Sequence, residues 1–330
     1  MGSDASQLVQ DRIVAERDAV SVPLPAERIT GIDGLRVLAA VGIVWFHTDG
    51  APYRYIGYTG LPIFLLIFFS LITNRSGAES ARYFFRRRWN RLVKPWLFWS
   101  LLYGALQVAK GACCGEPDSF RAMLSLETVL AGTHIHLWYL PYAFVSGFLV
   151  YALNRWTLRF NHATVVLIAT SAGLFLLVVN AARLFSFGLT RPVPQWEFGL
   201  AAVPLGFAIG RCRMIPARRW QQSWLLAIFV LTQVTSLVLI ARGHVSLTVP
   251  YSLAVALVCL AYGWRWDDSI IVAKLAPLTF GIYLIHPLVN RGLASVTSAG
   301  LHWVGFVGLT ACVSGLITLG MMKTPLRKLI

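Results

Sequence analysis

The sequence predicts an all-α polytopic membrane protein of about ten transmembrane helices, with both termini in the cytoplasm. Three observations support this fold class. Of the 330 residues, 57% are hydrophobic and only 13% are charged, whereas a soluble protein has about 25% charged residues. Mean hydropathy is +0.64. The apolar residues also form stretches near the ~20 residues that a helix needs to cross a bilayer.

Ten apolar stretches, separated by polar loops, give the predicted helices. They lie at residues 34–52, 58–74, 93–110, 136–153, 163–181, 195–210, 223–241, 247–264, 274–291 and 301–321. The sixth stretch is short and contains Pro204. Residues 1–27 are polar and lack the apolar core of a signal peptide. We therefore predict a mobile cytoplasmic tail over 1–27, a membrane domain over 28–322 and a short basic cytoplasmic tail over 323–330.

The distribution of positive charge sets the predicted orientation. Most of the 29 Lys and Arg residues lie in alternate loops and at the two ends of the chain, most densely over residues 75–94. Cytoplasmic loops carry such an excess of basic residues. The opposite side receives Arg54, Lys110, Arg121, Arg183, Arg191, Arg242 and Arg291. Topology thus explains most of the net charge of +15, and we expect no nucleic-acid partner.

The segment GIDGLRVLAAVGIVWFH, residues 31–47, overlaps the first apolar stretch and carries three ionisable side chains. Asp33 and Arg36 are spaced i, i+3, so they can pair on one helix face. His47 follows Arg36 after eleven residues, about 16 Å farther along a helix. One interpretation is an interfacial ion pair with a structural histidine. We favour the other, a histidine in a polar cavity that opens to the cytoplasm, because ionisable residues inside a membrane are costly and usually functional.

A basic segment precedes the third stretch, with Arg86, Arg87, Arg88, Arg91 and Lys94 close together. It is in part a topology signal, which would also attract anionic lipid. A smaller number of positive charges would be enough to set the orientation of the helices in the membrane. Arg88 and Arg91 are spaced i, i+3, and guanidinium groups on a shared face can hold phosphates through forked contacts. The segment therefore also predicts a site for a phosphorylated cytoplasmic ligand.

Two further stretches combine histidine with aromatic residues. THIHLWYLP places His134 and His136 near the start of the fourth helix. It is typical of an interfacial aromatic belt, and the i, i+2 spacing does not align the two histidines on a helix, so we expect no metal site. In LTFGIYLIHPLV, Tyr283 and His286 lie one turn apart and Pro287 follows. Such an interruption beside polar residues is tolerated where a helix lines a cavity.

Taken in order, these stretches resemble the motifs of acyltransferase family 3, a family of integral-membrane acyltransferases. The first motif resembles GIDGLRVLAAVGIVWFH and the second resembles GYTGLPIFLLIFFSLITN, with Ser70-Leu71 where the family has Ser-Gly. HLWYL and FGIYLIHP resemble the fourth and fifth motifs. The third motif, Arg-Arg-x-x-Arg-Leu-x-x-Pro, is matched by Arg87, Arg88, Arg91, Leu92 and Pro95. The resemblance covers residues from about 28 to 290.

The resemblance implies transfer of an acyl group, with acetyl favoured, from acetyl-CoA to a sugar hydroxyl. The expected acceptor is an exopolysaccharide or a lipid-linked glycan, and the expected location is the bacterial inner membrane, in contact with its lipids. The chain resembles members that lack an appended SGNH-type esterase domain. Oligomeric state, the acyl group, and the side from which the acceptor enters stay open.

The resemblance also implies roles for individual residues. His47 would be the general base, since an unperturbed histidine can accept the proton of a hydroxyl near neutral pH, and Asp33 and Arg36 would orient the site. We prefer direct transfer to an acyl-enzyme, and we expect no metal. The candidate donor-binding residues are Arg86, Arg87, Arg88 and Arg91. The candidate residues lining the acceptor side are His136, Trp138, Tyr283 and His286.

Two other membrane functions compete with this interpretation. A ten-helix secondary transporter of a small polar or anionic solute would normally show internal repeats and paired broken helices, and the sequence shows neither. In this chain the acids Asp33, Asp49 and Glu197 all lie near predicted helix ends, so a proton relay through the membrane would be poorly supplied. A transferase acting on lipid-linked sugars with a metal would need an Asp-rich site, and only the pair Asp267–Asp268 is available.

Overall fold

Helices account for all the regular secondary structure in the part of the chain that the structure describes. The structure is a computed structural model, and it describes residues 29–75, 79–114, 125–182, 191–264, 266–296 and 302–330. The predicted N-terminal tail, residues 1–27, lies outside these ranges. The absence of strands among the described residues agrees with the all-α fold class predicted from composition.

The α-helices are numbered in chain order. They are α1 Thr30–Phe46, α2 Arg54–Gly57, α3 Gly60–Arg75, α4 Ala81–Arg88, α5 Lys94–Cys114, α6 Leu126–Ala131, α7 Tyr139–Thr157, α8 His162–Ala181, α9 Val193–Leu200, α10 Ala202–Cys212, α11 Arg218–Ala241, α12 Val245–Gly263, α13 Ile270–Leu275, α14 Thr279–Val296 and α15 Trp303–Met322. A π-helical turn, Trp89–Val93, joins α4 to α5. Short 3₁₀ turns occupy Ile135–Trp138, Ala276–Leu278 and Pro325–Leu329.

Among the described residues, seven helical stretches are long and apolar enough to cross a membrane. They are Arg54–Asn74, Ile135–Thr157, His162–Ala181, Arg218–Ala241, Val245–Gly263, Ile270–Val296 and Trp303–Met322. A multi-pass membrane protein is therefore confirmed. The other predicted spans coincide with α1, α5 and the pair α9 and α10. The count of ten spans and the cytoplasmic location of the termini stay predictions.

The sixth predicted span is divided at Ala201 into α9 and α10. Pro204 lacks a backbone N–H, so it cannot bond to the carbonyl of Leu200, four residues earlier. The first bond after the break runs from the Leu205 amide to the Ala201 carbonyl, at 3.4 Å. The proline noted in the sequence therefore marks the division.

Helices α3 and α10 pack closely in the core, and glycines of α10 make this approach possible. A Cβ atom on Gly206 would lie 2.8 Å from the Cβ of Phe69, and one on Gly210 would lie 2.8 Å from the Ser70 carbonyl oxygen. Small residues allow membrane helices to approach closely. The close contact at Ser70 thus forms although Leu71 stands where the family pattern has glycine.

Helix α1 packs against α2, α3 and α14. Gly42 of α1 and Gly57 of α2 approach so closely that a Cβ atom on Gly42 would lie 2.8 Å from the Gly57 carbonyl oxygen. The Asn290 side-chain amide of α14 donates to the His47 carbonyl at 2.7 Å. Because α1 runs unbroken from Thr30 to Phe46, Arg36 and His47 lie towards opposite ends of it.

The last residues of the chain pack against the bundle. The Thr324 hydroxyl accepts a hydrogen bond from the Leu326 amide at 3.2 Å, and Pro325 begins the 3₁₀ turn that follows. The indole N–H of Trp99, on α5, donates to the Leu329 carbonyl at 3.0 Å. The predicted basic tail over 323–330 is thus attached to α5.

Candidate active site

A large cavity carries many of the basic residues singled out in the sequence. It has a volume of about 1020 Å³ and lies between α1, α3, the segment from α4 to α5, α7, α14 and the C-terminal turn. The cations that line it are Arg36, Arg87, Arg88, Arg91, Lys94, Arg327 and Lys328. No Asp or Glu of the described chain is among its lining residues, while Leu61, Phe64 and Phe68 give it an apolar wall. This basic cavity suits an anionic molecule with an apolar portion.

The basic segment reaches the cavity through an irregular helix. Ser80 caps the start of α4, and its hydroxyl accepts a hydrogen bond from the Tyr83 amide at 3.3 Å. After α4 the backbone forms the π-helical turn Trp89–Val93 before α5 starts. Such turns are uncommon and occur often at functional sites. Arg88 and Arg91 both line the cavity. Because the π-helical turn is wider than an α-helical turn, the two residues are not arranged as an i, i+3 pair of an α-helix.

Individual arginines of this segment have different surroundings. Arg87 pairs with Glu79, with 2.6 Å between nitrogen and oxygen. The Arg88 guanidinium lies 4.9 Å from the ring centre of Phe68 and 5.1 Å from that of Phe84. Burial, with a smaller effect of Arg87, lowers the pKa of Arg88 to about 10, so Arg88 is cationic at neutral pH. Arg86 is exposed and does not line the cavity.

Asp33 and Arg36 lie together as their spacing predicts. The Arg36 guanidinium is 3.4 Å from the Asp33 carboxylate. Arg36 lines the basic cavity, whereas Asp33 does not. Both belong to the first two turns of α1 and His47 follows its last residue. The structure therefore groups the pair with the basic cavity and separates it from His47, because the length of α1 lies between them.

Four histidines from three separate segments meet at the other end of α1. Ring centres are 5.1 Å apart for His47 and His286, and 5.7 Å apart for His286 and His136. The Nδ1 atoms of His136 and His134 are 2.6 Å apart. We call these four residues the histidine cluster. The described residues contain no group of three or more side chains arranged to hold a metal ion.

Pro287 fixes the protonation pattern of His286. Proline has no N–H, so the carbonyl of Tyr283, four residues earlier in α14, lacks its usual helical donor. The Nδ1 atom of His286 lies 2.8 Å from that carbonyl oxygen. Since a carbonyl only accepts, the proton of a neutral His286 must be on Nδ1. Its Nε2 atom is then an acceptor, and it is buried without a hydrogen-bond partner.

A second chain of hydrogen bonds fixes which ring nitrogen of His136 carries the proton. The Arg291 guanidinium lies 3.3 Å from Nε2 of His134, and arginine only donates. A neutral His134 therefore carries its proton on Nδ1 and donates it to Nδ1 of His136. His136 then has its own proton on Nε2, which is buried without a partner. The cluster thus offers one donor, from His136, and one acceptor, from His286, and both kinds of group can pair with hydroxyls.

Tyr283 connects the histidine cluster with the basic cavity. Its ring lines the cavity, its centre is 6.2 Å from that of His286, and its hydroxyl donates to the His136 carbonyl. His47 as a whole residue is partly buried. Trp138 is buried and packs on Tyr142, with 5.6 Å between ring centres. Trp138 therefore supports α7 from within the core.

Several residues of the site were not singled out by their sequence pattern. The i, i+2 spacing of His134 and His136 is unfavourable on an α-helix, but His134 is extended and His136 belongs to a 3₁₀ turn. That local geometry lets the two rings meet. Asn290 and Arg291 lie four and five residues after His286, which is one turn farther along α14. For Arg327 and Lys328, the sequence analysis predicted only a cytoplasmic location.

Comparisons with known proteins identify the family. Residues 29–321 match acyltransferase family 3, which is described as an acyltransferase domain. The comparison with curated proteins gives no match, and neither does the comparison with solved structures. The family match does not favour the transporter alternative. Because the match covers most of the chain, this multi-pass membrane protein belongs to acyltransferase family 3.

Proposed function

We propose that the protein transfers an acyl group, with acetyl favoured, from acyl-CoA to a hydroxyl of an exopolysaccharide sugar or a lipid-linked glycan. The family supports acyl transfer in general. The observation that carries the finer proposal is the connection of two unlike sites through Tyr283, which lines the basic cavity and contacts the histidine cluster. One site suits an anionic donor and the other suits a hydroxyl.

The basic cavity is the proposed donor site. Acyl-CoA carries several phosphate charges at one end and its thioester at the end of a long pantetheine arm. Arg87, Arg88 and Arg91 would hold the phosphates, since guanidinium groups bind them in a forked geometry. The apolar wall with Leu61 and Phe64 would contact the arm. Arg36, paired with Asp33, joins this site in the proposal, in place of the orienting role at the reacting centre that the sequence suggested.

The histidine cluster is the proposed reacting centre. His47 accepts the proton of the acceptor hydroxyl as the oxygen attacks the thioester carbonyl carbon. The tetrahedral intermediate then collapses, the carbon–sulfur bond breaks, and the CoA sulfur takes the proton from the His47 imidazolium. The products are an ester and the free CoA thiol. In this proposal Nε2–H of His136 donates to the developing oxyanion, and Nε2 of His286 accepts a hydrogen bond from a second hydroxyl of the acceptor sugar.

CoA release from acetyl-CoA by the purified protein tests this proposal, with and without a membrane glycolipid extract. We expect the extract to stimulate release by the wild type, and His47→Ala to lower the rate by about 10² to 10⁴-fold, which is the typical contribution of a general base. CoA binding by the variant should be unchanged. His244→Ala is a matched control, because His244 precedes α12 and its side chain makes no capping bond. Full activity of His47→Ala would refute the assignment of the base.

A further inference from the structure

The C-terminal segment, residues 323–330, forms part of the wall of the basic cavity. Arg327 and Lys328 line the cavity together with the cations of α1 and of the segment from α4 to α5. The family match ends at residue 321. These two basic residues therefore belong to a part of the chain that the family comparison does not cover, although they share a site with the residues that it does cover.

The segment is held in place by specific contacts. Trp99 is 3% exposed, and its indole N–H donates to the Leu329 carbonyl at 3.0 Å. The 3₁₀ turn Pro325–Leu329 is preceded by Thr324, whose hydroxyl bonds to the Leu326 amide. Both Arg327 and Lys328 have exposed side chains. The position of the backbone at the cavity wall is thus fixed, while the two cationic groups remain accessible to a ligand.

The balance of charge around the cavity indicates which kind of ligand the C-terminal segment would bind. Arg36 and Arg87 have acidic partners in Asp33 and Glu79. Among the described residues that line the cavity, none is an Asp or a Glu. Bringing two further positive charges to such a cluster is unfavourable unless an anion is bound, because like charges repel. A ligand with several phosphate charges would reverse the sign of this interaction.

We propose that Arg327 and Lys328 are donor-binding residues that contact phosphate groups of acyl-CoA at one side of the basic cavity. This inference rests on the proposed function and assigns part of the donor site to the C-terminal segment. Phosphate is also the headgroup chemistry of anionic lipids. An experiment can distinguish acyl-CoA from anionic lipid, because a soluble nucleotide thioester binds in neutral detergent without any added lipid.

The test is equilibrium binding of CoA to the purified full chain in neutral detergent. The double variant Arg327→Gln/Lys328→Gln should raise the Kd by about tenfold, since charged hydrogen bonds are stronger than neutral ones but exposure reduces their effect. Lys323→Gln is the matched control, because Lys323 is an exposed cation of the same segment that does not line the cavity. We expect its Kd to stay within about twofold of the wild type.

Additional measurements separate the loss of a contact with CoA from a loss of folding and from a loss of lipid binding. Melting temperatures should be equal for all three proteins, because the substituted side chains are exposed. Trp99→Phe, which removes the bond to Leu329 and keeps an aromatic ring, should also weaken CoA binding, by a smaller factor. Phosphatidylglycerol is then added as a second ligand in the same detergent.

The outcomes distinguish this inference from the proposed function. Failure of the wild type to bind CoA would contradict the proposed function itself. If the wild type binds CoA and the double variant binds it equally well, the C-terminal segment is not part of the donor site. The same conclusion follows if the double variant loses only its binding of phosphatidylglycerol. Weaker CoA binding by the double variant, with Lys323→Gln unaffected, supports the inference.

Discussion

Arg88 should contribute more to donor binding than the neighbouring arginine Arg86. Its guanidinium lies 4.9 Å from the ring centre of Phe68 and 5.1 Å from that of Phe84, and Arg88 lines the basic cavity. Hydrogen bonds to charged groups contribute about 1.5–3 kcal/mol each, and every ~1.4 kcal/mol changes an affinity tenfold. Arg88→Gln should therefore weaken CoA binding by about 10 to 100-fold.

Two matched variants make this prediction specific. Arg88→Lys keeps the positive charge but loses the planar fork, so we expect a smaller loss, of about tenfold. Arg86 is exposed and lies outside the cavity lining. Arg86→Gln should weaken binding by at most about fivefold, because exposed ionic interactions contribute about 0–1 kcal/mol.

The assay is equilibrium binding of CoA to each purified variant, with melting temperature as the control for folding. The contacts of Arg88 with the two phenylalanine rings contribute about 0.5–2 kcal/mol each to stability, so a modest decrease in melting temperature is expected for Arg88→Gln. Equal loss of CoA affinity in Arg86→Gln and Arg88→Gln would refute the reasoning. The basic segment would then act only through its total charge.

Two further predictions concern packing and the histidine cluster. Gly210→Ala should destabilise the protein by about 1–3 kcal/mol in a thermal or denaturant unfolding measurement, because its Cβ atom would meet α3; Gly292→Ala in α14, which has open space, should not. His286→Phe should lower the rate of acyl transfer by about tenfold or more, since it removes the Nε2 acceptor and leaves the Tyr283 carbonyl unpaired. CoA binding should be unchanged in His286→Phe, and a parallel loss of binding would contradict the separation of donor and acceptor sites.

Much of the fold could be predicted from local sequence. A helix is present at every one of the ten predicted apolar stretches, because length and apolar composition report on single helices. The i, i+3 spacing correctly predicted that Asp33 and Arg36 would lie together. Pro204, noted inside the sixth stretch, lies just after an interruption, and local sequence does not distinguish a division into two helices from a bend.

The composition of the site was harder to predict. His47, His136 and His286 come from three segments far apart in the chain, and periodicity within one helix carries no information about which helices pack together. The i, i+2 spacing of His134 and His136 would separate the two rings on an α-helix, but in the local geometry found there the rings meet. The π-helical turn before α5 and the position of Arg327 at the cavity likewise depend on tertiary contacts.

The most direct test of the account follows the acyl group itself. Purified protein is incubated with acetyl-CoA that is isotopically labelled in the acetyl group and with a membrane glycolipid extract, and the label is located by mass spectrometry. We expect labelled acetyl ester on the glycolipid with the wild type, at least about 10²-fold less with His47→Ala, and no label on the protein. Label that accumulates on His47 would contradict direct transfer, and glycolipid without label would contradict the proposed function.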